Sequence, residues 1–183
     1  PLEAKKLLFA MAVTEEIGFE PGDQKRGMKL DFIDVRRAFF HANAIRKVYV
    51  QLCGEDYEEG MCGRLNKAMY GTRDATQNWA EAYMGFMVKV EFIRGRASPC
   101  NFWHKERNLT VVVHGDDFMS AGTRDVAQKF RQQLESRFEI KTQIMGPDEG
   151  VARACTDTSD EQGLVQREGH VLNRIARWTL DGW

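Results

Sequence analysis

The sequence lacks close cysteine pairs and long apolar runs. No two of its four cysteines form a Cys-x-x-Cys pair, which argues against a structural zinc site because such sites need closely spaced ligands. Cysteines spread this thinly are typical of reduced intracellular thiols and not of a disulfide framework. No segment reaches the roughly 18 consecutive apolar residues of a membrane span, and the first residues lack a signal-peptide layout. We therefore expect an intracellular protein with no membrane partner.

An excess of positive charge is also missing. The formal net charge is -1 and the pI is about 6.5, so the sequence does not predict whole-surface attraction for nucleic acid. Any such contact must come from local basic patches or a bound metal. In 183 residues, 43% hydrophobic and 29% charged residues are enough for one domain with a sizeable core.

Apolar periodicity predicts an α+β fold with helices packed on one face of the sheet. The helices are expected over residues 2–14 and 76–91 and after the N-cap candidate Thr123. The strands are expected over residues 28–35, 48–52, 101–103, 109–113, 118–119 and 139–144. Residues 147–183 are expected to be partly irregular, with a short helix over 171–178.

The tetrapeptide His114-Gly115-Asp116-Asp117 forms the polar tip of a predicted hairpin. Two adjacent carboxylates repel each other, and a divalent cation removes that repulsion, since Mg²⁺ prefers one or two carboxylates plus substrate phosphates. The tetrapeptide indicates half of a metal site. An ordinary solvated turn is the alternative that these four residues leave open.

Asp34 ends an apolar strand that also contains Asp31. If that strand neighbours the hairpin, three carboxylates from two sheet segments can hold two cations about 4 Å apart, the arrangement used for phosphoryl transfer. A helix N-cap is the alternative reading of Asp34. Asp31 is expected to point to the opposite side or to solvent.

The chain resembles the reverse transcriptase of copia-type (Ty1/copia) LTR retrotransposons. Each matching block is short, and the resemblance rests on the order and spacing of the blocks over roughly residues 3–146. The blocks are Asp34-Val35-Arg36-Arg37-Ala38-Phe39, Val48-Tyr49-Val50, Cys-Gly-Arg-Leu-Asn-Lys-Ala-Met-Tyr-Gly at 62–71, Trp79, Ser98-Pro99-Cys100-Asn101-Phe102 and His114-Gly115-Asp116-Asp117.

The resemblance implies a polymerase palm with an RRM-like antiparallel sheet over residues 1–146, followed by a connection to a thumb over 147–183. It implies that Asp34, Asp116 and Asp117 are the catalytic metal-binding triad, with two Mg²⁺ ions as cofactors and Mn²⁺ as a substitute. It also places the fingers region, whose basic residues clamp the triphosphate in this family, upstream of this chain. The isolated chain is therefore expected to be a weak or inactive polymerase.

Six residues are expected by the same resemblance to contact the incoming nucleotide. They are Val35, Arg37, Ala38, Phe39, Arg73 and Asp74. Phe39 occupies the position of the aromatic gate that excludes a ribose 2′-OH, although a core role for it, or for Phe40, is equally compatible with the sequence. Asp74 departs from the family pattern and is expected to place a carboxylate near template or nucleotide.

The function implied is RNA-directed DNA polymerase, with RNA template, DNA primer and dNTP as partners. The remainder of a Gag-Pol-type polyprotein, with integrase and RNase H, is a further expected partner, and the expected location is a cytoplasmic particle or the nucleus. Two alternatives remain open at this point. One is a decayed or repurposed palm that binds RNA or protein without catalysis, and the other is a different palm enzyme such as a nucleotide cyclase.

Overall fold

The computed structural model describes residues 2–14, 28–146, 165–166, 168–171 and 174–177. The chain divides into two compact units, Arg37–Lys89 and the combination of Pro1–Arg36 with Val90–Trp183. The helices are α1 (Leu2–Thr14), α2 (Ala75–Lys89) and α3 (Arg124–Glu135), with short 3-10 helices at Ala38–His41 and Gly54–Asp56. The strands are β1 (Met28–Val35), β2 (Tyr49–Gln51), β3 (Cys62–Arg64), β4 (Ile93–Arg94), β5 (Asn101–His104), β6 (Leu109–His114), β7 (Asp117–Thr123), β8 (Ile140–Met145), β9 (Val165–Gln166), β10 (Glu168–Val171) and β11 (Arg174–Arg177).

The larger unit is built on a seven-stranded sheet with the order β4-β5-β6-β7-β1-β8-β9. Its described strands pair antiparallel except β8 and β9, which are parallel. β1 lies between β7 and β8, and most of its side chains are buried. The α+β class and the main strands predicted from periodicity are confirmed, while the short strand β4 was not expected.

The prediction that the helices share one face of the sheet is wrong for this unit. Leu8 of α1 packs with Leu30 of β1, whereas Arg131 of α3 binds Asp31, the next residue along that strand. Successive strand side chains point to opposite faces, so α1 and α3 cover opposite faces. Most of β1 is buried because both of its faces are covered, and the buried residues include the charged Lys29 and Asp31.

α3 follows the predicted four-residue repeat. Phe130 and Leu134 are fully buried, and Ala127 beside them is too. Burying a side chain such as Leu134 contributes about 1.5–3 kcal/mol. The helix begins after Thr123, whose backbone is extended as an N-cap requires, but its hydroxyl makes no capping hydrogen bond.

Asp31 and Arg131 form a buried ion pair that joins β1 to α3. The carboxyl group of Asp31 is completely inaccessible, and burial raises its pKa to about 6, an effect that the charge and hydrogen bond of Arg131 oppose. Of the two expectations for Asp31, the one that turns it away from Asp34 is correct.

The smaller unit contains the β2–β3 hairpin and α2. Its buried cluster is formed by Ala42, Ala68 and Ala75, with Phe39 packed against them. The helix expected over 76–91 is confirmed as α2, and β2 confirms the strand expected over 48–52, whereas β3 was not predicted.

The short helix expected over residues 171–178 is wrong. Val171 ends β10, and Arg174–Arg177 form β11, which pairs antiparallel with β10. Glu168 pairs with Arg177 and accepts a 2.7 Å hydrogen bond from its Nε. The other residues of the predicted thumb connection, 147–164, 167, 172–173 and 178–183, lie outside the described part. Within that part, no helix combines the length and the apolar character needed to cross a membrane.

Candidate metal centre

The strand register brings the carboxylates together. Asp34 of β1 lies directly opposite Asp117 of β7, so their side chains project from the same face of the sheet. Asp116 precedes Asp117 in the turn, and its carbonyl oxygen accepts a 3.0 Å hydrogen bond from the amide of Val35. This bond ties the end of β1 to the tip of the β6–β7 hairpin. Asp34 is therefore a strand residue and not the helix N-cap that the sequence left open.

Each of the three carboxylates offers an oxygen within 4.8 Å of an oxygen of the other two. Asp34 and Asp116 are exposed and Asp117 is half-buried. Among the residues described, this is the one cluster of at least three side chains able to hold a metal ion. A compact set of carboxylate oxygens is the donor set that Mg²⁺ and Mn²⁺ favour.

The turn that carries Asp116 requires a glycine before it. His114 pairs with Asp117, so Gly115 and Asp116 are the two turn residues, and Gly115 has a φ of 66°. Asp116 has no positive φ, and a two-residue turn with positive φ only at its first position is type II′, which favours glycine there. Gly115 thus suits the local geometry of the turn.

The electrostatics of the cluster disfavour three negative charges without a cation. Burial raises the pKa of Asp34, the charge of Asp116 raises it further, and Arg36 and Lys141 oppose the rise. Burial also raises the pKa of Asp117, where Lys5 is the main opposing charge and Asp116 and Asp34 add to the rise. A divalent cation favours the ionised carboxylates, so the residues present fit a divalent metal.

The predicted nucleotide-binding residues divide between the two units. Val35 lies beside the triad, where its side chain is buried and its amide binds Asp116. Arg37, Ala38, Phe39, Arg73 and Asp74 belong to the smaller unit. Their expected part in nucleotide binding stays a prediction.

Arg37 and Ala38 begin the 3-10 helix of the smaller unit. Arg37 has a left-handed backbone with a φ of 53°, an uncommon conformation for a residue with a side chain. Ala38 is buried while Arg37 is exposed. The positive φ turns the chain sharply into the helix that carries Phe39 and Phe40.

Phe39 and Phe40 differ in burial. Phe39 is half-buried against the alanine cluster of the smaller unit, and Phe40 is 43% exposed. Both rings contact Tyr70, at centroid distances of 4.4 Å for Phe39 and 5.7 Å for Phe40. Sequence reasoning did not single out Tyr70, because only the folded chain brings it to residues about 30 positions earlier in sequence.

The carboxylate of Asp74 is neutralised within the smaller unit. Arg46 Nη2 lies 3.4 Å from Oδ1, and Asn78 Nδ2 donates to Oδ2 at 3.3 Å. The backbone carbonyl of Asp74 also accepts the amide hydrogen bond of Asn78 in the first turn of α2. Because Arg46 balances its charge, the Asp74 carboxylate repels phosphate less than an unpaired carboxylate would. Arg73 beside it is exposed.

Comparison with known proteins agrees with this geometry. Residues 2–146 match the family described as reverse transcriptase (RNA-dependent DNA polymerase). The chain is similar to the Retrovirus-related Pol polyprotein from transposon TNT 1-94 of Nicotiana tabacum, with 24% identity over 128 residues that cover 66% of this chain and 9% of that protein. The chain thus spans only a small part of the relative's length. Because the family match covers most of its residues, the chain belongs to the reverse transcriptase family of copia-type retrotransposons.

Proposed function

We propose that this domain is an RNA-directed DNA polymerase that uses a carboxylate metal centre. In the reaction, the 3′-OH of a primer attacks the α-phosphate of a dNTP, a new phosphodiester bond forms, and pyrophosphate leaves. The observation that carries the proposal is the convergence of Asp34, Asp116 and Asp117 within 4.8 Å. Asp34 lies 82 positions before the adjacent pair Asp116 and Asp117, and all three residues are inside the segment that matches the family.

In this proposal the fold of the chain holds the three carboxylates in position for the metal ions. Asp34 and Asp117 are held opposite each other by the β1–β7 ladder, and the Val35 amide fixes the backbone of Asp116. The side chains would hold two Mg²⁺ ions, or Mn²⁺ in their place. When bound, such ions neutralise charge on the attacking and leaving oxygens. Rigid strands suit this task because ligand positions must be set before substrate arrives.

The nucleotide contacts proposed here follow from the family resemblance. Val35, Arg37 and Ala38 would face the triphosphate through their backbone, and Arg73, with Asp74 beside it, would lie along the nucleotide or template. Phe39 would act as the gate that excludes a ribose 2′-OH. Its ring is suited to this role because it packs against Tyr70 and the alanine cluster.

The partners proposed are an RNA template, a DNA primer and dNTPs. The relative's name describes a Pol polyprotein, and we propose that this domain works beside integrase and RNase H parts of a similar Gag-Pol-type polyprotein. An intracellular setting, in a cytoplasmic particle or the nucleus, follows from that proposal.

Primer extension on an RNA template tests the function. Both this chain and the full reading frame that encodes it would be assayed with Mg²⁺ and with Mn²⁺. Asp116→Asn should lower incorporation by about 100-fold or more, since loss of a metal ligand removes several kcal/mol of transition-state stabilisation. The matched control is Asp125→Asn, an exposed aspartate in the first turn of α3, which should leave incorporation unchanged.

Two results would count against catalysis by this centre. Equal incorporation by wild type and Asp116→Asn would show that the triad is not the active centre. RNA binding without incorporation by the full reading frame would favour the non-catalytic domain instead.

A further inference from the structure

Lys5 is a buried lysine in α1. The residue is 4% exposed, whereas lysines almost never lie fully buried unless they are paired. The neighbouring Lys6 is exposed and forms an ordinary surface ion pair with Glu3 at 3.2 Å. The two adjacent lysines therefore have different surroundings, and Lys6 provides a natural control for Lys5.

α1 places Lys5 on the sheet face that carries the metal centre. Leu8, one turn further along the helix, packs with Leu30 and Met119. Alternation along the strands puts Leu30 on the same face as Asp34, and Met119 on the same face as Asp117. Residues three apart share a helix face, so Lys5 lies with Leu8 over the face that bears both carboxylates.

The charges of Lys5 and Asp117 influence each other. Burial lowers the pKa of Lys5, while Asp117 and Cys100 oppose that change by favouring the ammonium form. In the other direction, Lys5 is the largest influence that counters the raised pKa of Asp117. Both effects agree with the position inferred from helix packing and strand register.

We propose that Lys5 is a positioning residue of the metal centre: its ammonium is a fixed counter-charge for Asp117, and it weakens the binding of free divalent cations. The inference rests on the proposed function, since it concerns the same three carboxylates. In the metal-free chain, one positive charge offsets part of the repulsion that Asp34, Asp116 and Asp117 exert on one another.

This counter-charge also repels an incoming cation. A divalent ion at the triad is attracted by the carboxylates and repelled by Lys5, and this repulsion is stronger near a protein interior than in bulk water. A metal–triphosphate complex carries negative charge of its own, so the repulsion acts more strongly on a free cation. The arrangement favours uptake of metal together with nucleotide.

Mn²⁺ titration of the intact chain, followed by electron paramagnetic resonance of the free ion, tests the proposal without any activity measurement. Lys5→Met should bind Mn²⁺ about tenfold more tightly than wild type, because a repulsive charge is removed. Lys5→Arg keeps the charge and should match wild type. Lys6→Met removes a neighbouring but exposed charge and should also match wild type.

A second neutral variant controls for altered folding, and a double mutant tests whether the effect depends on Asp117. Lys5→Gln should reproduce the tighter binding of Lys5→Met, with the helical circular dichroism of both variants compared with wild type. In an Asp117→Asn background the effect of Lys5→Met should shrink, because the residue that Lys5 neutralises is gone.

The outcomes separate this inference from the proposed function. If wild type binds Mn²⁺ and the folded neutral variants bind it equally or more weakly, Lys5 is not a counter-charge and the metal centre stands. If wild type binds no Mn²⁺, the metal centre itself is refuted, and the role of Lys5 with it.

Discussion

Replacing Arg131 by methionine removes the partner of a fully buried carboxylate. Asp31 has no accessible surface, and the side chain of Arg131 is 11% exposed. Methionine keeps much of the aliphatic length of arginine, so the change mainly deletes the charge. Removing one member of a buried ion pair costs about 3–5 kcal/mol, and we expect a loss of this size in the free energy of unfolding at pH 8.

The loss of stability caused by Arg131→Met should be larger at pH 8 than at pH 5. In the folded wild type the pKa of Asp31 is about 6, above the ordinary value of 3.8. Because the pKa of Asp31 is higher in the folded than in the unfolded state, the protonated carboxyl group contributes to the stability of the fold. This contribution is fully present below pH 3.8 and is lost as the pH rises through 6, a change of about 3 kcal/mol in the free energy of unfolding. Loss of Arg131 raises the pKa of Asp31 further, since Arg131 opposes the rise. At pH 5 Asp31 is mostly protonated in both proteins, so Arg131→Met should cost only about 1 kcal/mol there, the value of a lost hydrogen bond.

Urea unfolding at pH 5 and pH 8, followed by circular dichroism, measures the effect. With a denaturant slope of about 2 kcal/mol/M, the midpoint at pH 8 should fall by about 1.5–2.5 M. Replacing both partners, Asp31→Leu with Arg131→Met, should restore most of the stability, because no buried charge remains. Arg36→Met is the control. It breaks an exposed ion pair with Glu139 at 3.4 Å and should cost less than about 1 kcal/mol.

Two results would refute this reasoning. One is an equal cost of Arg131→Met at the two pH values. The other is a double variant at pH 8 that is no more stable than Arg131→Met alone.

Two further predictions concern the proposed site. Gly115→Ala should cost about 1–2 kcal/mol in urea unfolding, because alanine disfavours a φ of 66°. It should also weaken Mn²⁺ binding, while Gly85→Ala, inside α2, should not destabilise the fold. Phe39→Ala should raise ribonucleotide incorporation relative to deoxynucleotide by about 10–200-fold in primer extension. An unchanged ratio would leave Phe39 as a packing residue of the smaller unit.

Local periodicity was enough to predict most helices and strands of the larger unit. Apolar runs that end at polar residues predict β1 and the β6–β7 hairpin, and the four-residue apolar repeat predicts α3. Which face of the sheet each helix covers could not be predicted. The apolar residues of α1 predict that the helix is partly buried, but the contact of Leu8 with Leu30 arises only from tertiary packing. Nothing in the sequence indicates that α3 covers the opposite face of the sheet from α1.

The three carboxylates were predicted from strand ends and from the order of the blocks, and the register supports their proximity. The charge partners of Asp31 and Asp74 were not predicted, because they come from distant segments of the sequence. Asp31 and Arg131 are 100 positions apart, and Arg46 reaches Asp74 across 28 positions. Lys5 had a visible signal, since it lies among the apolar residues of α1, but such a lysine is usually read as exposed.

The central claim, that Asp34 is a metal ligand of a polymerase, is tested most directly by exchanging its ligand chemistry. Asp34→Cys replaces a hard oxygen by a soft sulfur, and thiolate favours softer cations than Mg²⁺. In primer extension on RNA, Asp34→Cys should be inactive with Mg²⁺ and should regain incorporation when a thiophilic cation such as Cd²⁺ is added. Asp34→Ala should stay inactive with either ion. Full activity of Asp34→Cys with Mg²⁺, or equal recovery of Asp34→Cys and Asp34→Ala, would contradict the claim.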